Sequence, residues 1–216
     1  MHNISIPSWL PDQGLIRLEP PDMSKTALLV IDMQVVFCEE GQALASRNSA
    51  DIIPNINQLA DAVRRGGGKV VFTRHAVTDD GARALPRWHL EDPRVRRMLY
   101  DPFLDPATLA IDVRMDVQSC DLVIEKFRFG AFGENSSDLG KQLQENGVDT
   151  LIVVGVATSG CCETTAREAM QLGYKVFFVT DANATALDEL HNAALMNLGF
   201  LFADLRDTEE MLKLVS

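Results

Sequence analysis

The sequence predicts a three-layer α/β/α domain, Rossmann-like and built on a parallel sheet. Three observations predict it. Apolar runs rich in β-branched residues, such as Leu151-Ile152-Val153-Val154, read as strands buried on both faces. These runs alternate with stretches of helical apolar spacing, the pattern of βα units. The 216 residues suffice for one such domain with a large core, and neither an internal repeat nor a linker divides them.

Residues 1–24 hold Pro7, Pro11, Pro20 and Pro21, with Trp9 and Leu10 as apolar anchors, and read as an extended N-terminal arm. Residues 25–216 form the single domain. Strand one is Thr26 to Asp32, with Asp32 where the strand runs out. Ligands bind at such carboxyl ends in open α/β sheets, although an Asp there also serves as a turn or helix cap. Ile52, Ile56, Leu59, Ala60 and Val63 give a helix over 48–65, capped by Asn48 or Ser49 and stopped by Gly66-Gly67-Gly68. Strand two is Lys69 to Thr73, followed by Arg74-His75.

Residues 76–119 read as irregular, a lid or interface segment. They concentrate Arg83, Arg87, Arg94, Arg96 and Arg97, which either hold an anionic substrate group or pair with Glu91, Asp92 and Asp101 on a solvated face. Strand three is Asp121 to Glu125, ending at Lys126, and Phe127, Phe129 and Phe132 crowd the turn after it. These rings are either core or the wall of a pocket around Lys126. A helix capped by Ser136 or Ser137 runs through Glu145. Strand four ends at Gly155, a turn of small residues follows, and Cys161 opens a helix closed by Gly173. Strand five is Lys175 to Thr180, a helix spans Asp188 to Leu198, the last strand is Phe200 to Ala203, and Asp207 starts a short helix. His2 and His191 have no motif context and read as surface residues.

Composition narrows the function classes. A net charge of −11 argues against nucleic acid and anionic membranes as partners. No apolar run approaches the ~20 residues of a membrane span, and no secretory leader is evident. The four cysteines, Cys38, Cys120, Cys161 and Cys162, do not resemble a disulfide framework. A soluble protein in a reducing cytoplasm is expected. A thiol at a helix start meets unpaired N–H groups and the positive dipole end, which lower its pKa. Cys161 is therefore either an activated thiol or a small buried hydrophobe.

The run GVATSGCCETTAREA resembles the nucleophile motif of the isochorismatase-like cysteine hydrolases, with Cys161 in the nucleophile position and Cys162 in the apolar position after it. The same family carries an aspartate ending its first strand, matched by Asp32 in ALLVIDMQ, and a lysine before an aromatic-rich turn, matched by Lys126 in VIEKFRFGAF. The three matches fall in the family's order over about residues 25 to 210. The resemblance implies a six-stranded sheet of order 3-2-1-4-5-6, a triad of Asp32, Lys126 and Cys161, an oxyanion hole from the N–H groups of Ala157 and Cys161, and a cis peptide between Val156 and Ala157. It leaves a difficulty: strand three would be an edge strand, while Lys126 must reach a site between strands one and four.

The implied activity is hydrolysis of a small amide, carbamoyl or ureido compound through a thioester, with release of ammonia. Cys161 would attack, Asp32 would act as general base, and Lys126 would keep Asp32 ionised and stabilise the thiolate. Phe37, Phe132, Arg128 and His75 are the candidates for substrate contact, although His75 also fits a hydrogen-bonded loop residue. The Asp-x-His pair of the metal-binding nicotinamidase branch is absent, so neither a metal nor another cofactor is expected. Candidate substrates are biuret-like ureides, N-carbamoyl amino acids and maleamate-like acid amides, and the arginines favour an acidic or carbonyl-rich one. Other readings are an isochorismate-type vinyl ether hydrolase, or an interaction module with Cys161-Cys162 as a redox-sensitive pair. Family habit and the proline-rich arm suggest a homodimer or homotetramer.

Overall fold

The structure, a computed structural model, describes residues 1–10, 14, 16–78 and 86–215, and of Arg87 the backbone. Pro11, Arg83 and the Arg87 side chain, which entered the sequence reading, lie outside it. Six parallel strands form one sheet: β1 (Thr26–Ile31), β2 (Lys69–His75), β3 (Leu122–Lys126), β4 (Thr150–Val156), β5 (Lys175–Ala184) and β6 (Asp204–Arg206). Their order is β3-β2-β1-β4-β5-β6, as the resemblance implied. All residues of β1 and β4 are buried, which the near-continuous apolar runs require of central parallel strands.

Alternate strand residues feed two cores. Leu28, Val30, Ile152 and Val154 pack with Ile56, Leu59 and Val63 of the Ile53–Arg65 helix and with Met211 of the C-terminal Thr208–Val215 helix. Leu29, Ile31, Leu151 and Val153 pack on the other face with Leu139, Ala166, Leu195 and Leu198, from the helices Leu139–Glu145, Glu163–Gln171 and Asp188–Leu201. Among the described residues, no helix is long and apolar enough to cross a membrane.

Several boundaries differ from the sequence reading. Gly155 does not end β4. It sits inside the strand at φ +118°, beside β1, where a Cβ would lie 2.2 Å from the Ile31 carbonyl oxygen, so only glycine fits. β2 continues to His75, and β5 continues past a bulge to Ala184, where the buried Asn183 amide donates to the carbonyls of Val153 and Val179. The 48–65 helix is two helices, Arg47–Asp51 and Ile53–Arg65, because Pro54 stands in the first turn of the second. Its cap is Ser46, whose Oγ accepts from the Ser49 N–H. The N-cap of the Leu139–Glu145 helix is Asp138 and neither Ser136 nor Ser137, although Ser137 Oγ, one residue ahead of it, accepts from the Leu139 N–H at 3.1 Å. The last strand is Asp204–Arg206, since Phe200 and Leu201 extend the helix before it.

Residues 76–119 are more regular than expected. Short helices span Arg87–Glu91, Pro93–Leu99 and Pro106–Leu109. Two of them begin with Asp-Pro, at Asp92-Pro93 and Asp105-Pro106, and each aspartate accepts a hydrogen bond from the N–H two residues on. Pro93 and Pro106 are the first residues of their helices.

Candidate active site

The carboxyl ends of β1, β3 and β4 bring Asp32, Lys126 and Cys161 together. Asp32 follows β1 at φ +50°, a left-handed conformation uncommon for a non-glycine residue and concentrated at functional sites. Ile31 pairs with Gly155, so Asp32 stands level with the end of β4. Lys126 lies two strands from β1, on an edge strand about 10 Å away at the usual strand spacing. Its long stem crosses β2 and places Nζ 2.7 Å from Asp32 Oδ2, with both side chains fully buried. That span answers the difficulty posed by the strand order.

Each charge is held by neighbours. Thr73 Oγ1 donates to Asp32 Oδ1 at 2.7 Å and accepts from the Asp32 N–H at 3.2 Å. Lys126 Nζ donates to the Arg128 carbonyl at 3.0 Å and faces His75 Nδ1 at 3.5 Å. Asp32 Oδ2 has its ion pair with Lys126 but makes no conventional hydrogen bond to another group, which leaves lone-pair capacity on that oxygen. The Cys161 thiol lies within hydrogen-bonding reach of both Asp32 and Lys126.

Cys161 does not open a helix. It lies within a π-helical turn, Thr158–Cys162, that precedes the Glu163–Gln171 helix. The expected lowering of its pKa is overturned as well. Burial, and then the Asp32 charge, push the thiol up to about 12, while Lys126 pulls the other way. The resting group is a neutral thiol with a carboxylate beside it. Lys126 is raised above its ordinary value: burial opposes its charge, and Asp32 and Cys161 more than offset that. The Val156–Ala157 peptide is cis.

Cys161 opens onto a cavity of about 220 Å³. Ala157 and Gly160 line it beside the thiol, and Phe37, Leu99, Phe103 and Phe129 supply apolar walls. Polar wall groups come from Ser46, Ser49, Thr185 and His75. His75 packs edge-on against Phe103 at 4.7 Å, and burial followed by the Lys126 charge lowers its pKa to about 3. A larger groove of about 550 Å³ runs along β3 and touches none of Asp32, Lys126 and Cys161.

Of the four candidates for substrate contact, Phe37 and His75 line the cavity and Phe132 and Arg128 do not. Phe132 turns away to pack on Tyr174 at 5.5 Å, and Arg128 takes part through its backbone carbonyl. Of the arginines in residues 76–119, those with described side chains also stay outside it. Arg94 pairs with Asp92 at 2.7 Å, Arg96 with Asp101 at 3.2 Å, and Arg97 is exposed. That segment instead supplies Leu99 and Phe103.

The sequence reading missed several supports. Thr73 is a polar residue in a buried strand, a signal that was present. Gln34 is fully buried; its amide donates to the carbonyls of His75 and Leu109 and accepts from the His75 N–H, tying the ends of β1 and β2 to the 106–109 helix. His191 and His2 are not surface residues. His191 is fully buried with Nδ1 2.9 Å from Thr158 Oγ1, and His2 stacks on it at 4.2 Å and accepts from the Thr185 N–H.

His75, at the end of β2, faces an ammonium. Among the described residues, no three His, Cys, Asp or Glu side chains are grouped to hold an ion.

The family model described as "Isochorismatase domain" matches residues 26–210. Nicotinamidase 3 of Arabidopsis thaliana is 39% identical over 198 residues, covering 90% of this chain and 91% of that protein. The ureidoacrylate amidohydrolase RutB of Pseudomonas syringae pv. syringae is 30% identical, covering 92% and 88%. The crystal structure of a cysteine hydrolase from Pseudomonas syringae pv. phaseolicola 1448A superposes with a TM-score of 0.82 at 31% identity, covering 93% of this chain and 96% of that one. With the match spanning nearly the whole sheet and the strand order the same as the resemblance implied, the chain belongs to the isochorismatase family of hydrolases.

Proposed function

We propose that the protein is a cysteine-dependent amidohydrolase that cleaves the C–N bond of a small, neutral carboxamide and releases ammonia. The observation that carries this is the contact of one thiol with a buried Asp–Lys pair at an apolar cavity. Asp32 takes the Cys161 proton as sulfur attacks the amide carbon, so thiolate forms in the attack and not before it. Lys126 balances the charge that then resides on sulfur. The oxygen of the tetrahedral intermediate is received by the N–H groups of Ala157 and Cys161, where loss of one such donor costs ~3 kcal/mol. Asp32 returns its proton to the leaving nitrogen, ammonia departs, and water cleaves the thioester with Asp32 again as base.

The cavity also selects. Among its described lining residues there is no arginine or lysine to pair with a substrate carboxylate. That disfavours maleamate-like acid amides and N-carbamoyl amino acids, and favours a flat, uncharged body between Phe37, Phe103 and Phe129. The 39% identical relative, named a nicotinamidase, fits the same substrate class.

The test is ammonia release from a panel holding nicotinamide, benzamide, biuret, maleamate and ureidoacrylate. The expected result is turnover of the neutral carboxamides, lost in Cys161→Ala and kept in Cys162→Ser. Turnover confined to the acidic members would overturn the substrate class, and full activity of Cys161→Ala would overturn thiol catalysis.

A further inference from the structure

The Glu163–Gln171 helix begins one residue after the nucleophile turn, and it reaches across to the loop that follows β3. Thr165 Oγ1 accepts the Ala131 N–H at 3.1 Å. One turn on, Glu168 Oε2 accepts the Phe132 N–H at 2.9 Å. Gly130 leaves room for the carboxylate: a Cβ there would lie 2.2 Å from Glu168 Oε2 and 2.3 Å from Oε1. The base of the loop closes on itself, with Ser136 Oγ donating to the Gly130 carbonyl at 2.6 Å and the Phe127 N–H donating to the Ser136 carbonyl at 3.0 Å.

This loop has two functional ends. Its start carries the Arg128 carbonyl that receives the Lys126 ammonium, and Phe129, which walls the cavity. The edge strand β3 has a neighbour on one side alone, so β2 fixes Lys126 laterally and the loop must fix it from above. The helix bearing Thr165 and Glu168 touches both the thiol's turn and this loop. A charged acceptor for a loop N–H is stronger than a neutral one, and it is placed where the loop approaches closest.

We propose that Glu168 is a positioning residue of the reaction: its carboxylate ties the Lys126 loop to the helix of the nucleophile and so sets the ammonium's place relative to Asp32 and Cys161. Phe129 is one of several walls, whereas the loop's Arg128 carbonyl is the backbone acceptor of the Lys126 ammonium, so loss of the tie acts more on the chemical step than on binding. The proposal rests on the amidohydrolase reading for its kinetic part, while the reactivity of the Cys161 thiol toward iodoacetamide reports it independently.

The experiment compares Glu168→Ala, Glu168→Asp and Glu168→Gln with the wild type. It measures kcat and KM on nicotinamide, and the pH profile of Cys161 alkylation by peptide mass spectrometry. Expected is a kcat lower by about 10–100-fold in Glu168→Ala with KM within threefold, the cost of a small misplacement of a catalytic group. Glu168→Asp, whose carboxylate falls short of the Phe132 N–H, behaves like the alanine variant. Glu168→Gln, which keeps an oxygen at that distance, recovers most of kcat. Alkylation of Cys161 moves to higher pH in the alanine and aspartate variants and not in the glutamine one. If Glu168→Ala does not fold, the aspartate and glutamine pair decides alone. Wild-type kcat and alkylation in Glu168→Asp, or a loss in Glu168→Gln equal to that in Glu168→Asp, overturns the proposal. A wild type that hydrolyses none of the panel, with alkylation still shifting in Glu168→Asp, leaves the positioning role standing and removes the amidohydrolase reading.

Discussion

At the scale of the residue, the chemistry turns on a thiol that burial keeps neutral. Desolvation and the Asp32 carboxylate raise Cys161, and Lys126 alone lowers it by charge and hydrogen bond. The two partners therefore have opposite effects on the resting thiol and the same effect on turnover. In Asp32→Asn the acceptor for the proton is gone, so kcat falls by about 10²–10⁴-fold. Yet the carboxylate that disfavours thiolate is gone too, so iodoacetamide modifies Cys161 faster than in the wild type. In Lys126→Met both kcat and alkylation fall. Parallel loss of alkylation in both variants would show that Asp32 activates the resting thiol, contrary to this scheme. Asp32 and Lys126 were legible in the chain because each closes an apolar run, and Cys161 because GVATSGCCETTAREA resembles the family's nucleophile motif. The contacts that hold them were not, since Thr73, Gln34 and the Thr158–His191 pair gain meaning only where strands lie side by side.

At the scale of the element, the end of β4 shows how close packing sets the site. Gly155 pairs with Ile31, one residue before Asp32, and the β1 backbone fills the space a side chain would need. Gly155→Ala is expected to destabilise the fold by about 2–4 kcal/mol, from a clash with backbone joined to an unfavourable positive φ, and to displace Asp32. Urea unfolding followed by circular dichroism measures the first effect and kcat the second; a variant within 0.5 kcal/mol of wild type, roughly the range of a neutral surface change, would refute the close approach. The sequence marked this glycine as a strand end, because a single chain shows the missing side chain and not the neighbour that demands it. For the same reason the segment holding Asp92-Pro93 and Asp105-Pro106 read as irregular, although both are helix starts.

At the scale of the whole molecule, the two buried histidines give the fold an acid limit. Burial is the first cause in both, lowering His75 to about 3 and His191 to about 4 from an ordinary 6.5. The unfolded chain takes up those protons near 6.5 and the fold does not, so stability is fully present above that pH. It is lost as the pH falls from 6.5 toward those lowered values. Asp112, held low by Arg114, begins to matter only below the ordinary carboxylate value of 3.8, so the window from 6.5 to about 4 belongs to the histidines. Urea midpoints should decline between pH 7 and pH 5, and less steeply in His191→Gln. A flat wild-type profile over that range would contradict the buried neutral state.

By itself the sequence determined the class of fold, since runs of Val, Ile and Leu alternating with helical spacing have few other ways to hide their apolar faces. It also determined, through three short motifs, which thiol, carboxylate and amine stand at strand ends. Tertiary structure alone decided that Lys126 crosses a strand to meet Asp32, that burial disfavours the Cys161 thiolate, and that the walls include Phe37, Phe103 and Phe129 and neither Phe132 nor the described arginines. The physical reason is that burial and neighbouring charge belong to a place in space. Residues far apart in the chain create that place together, and no local pattern of letters records it.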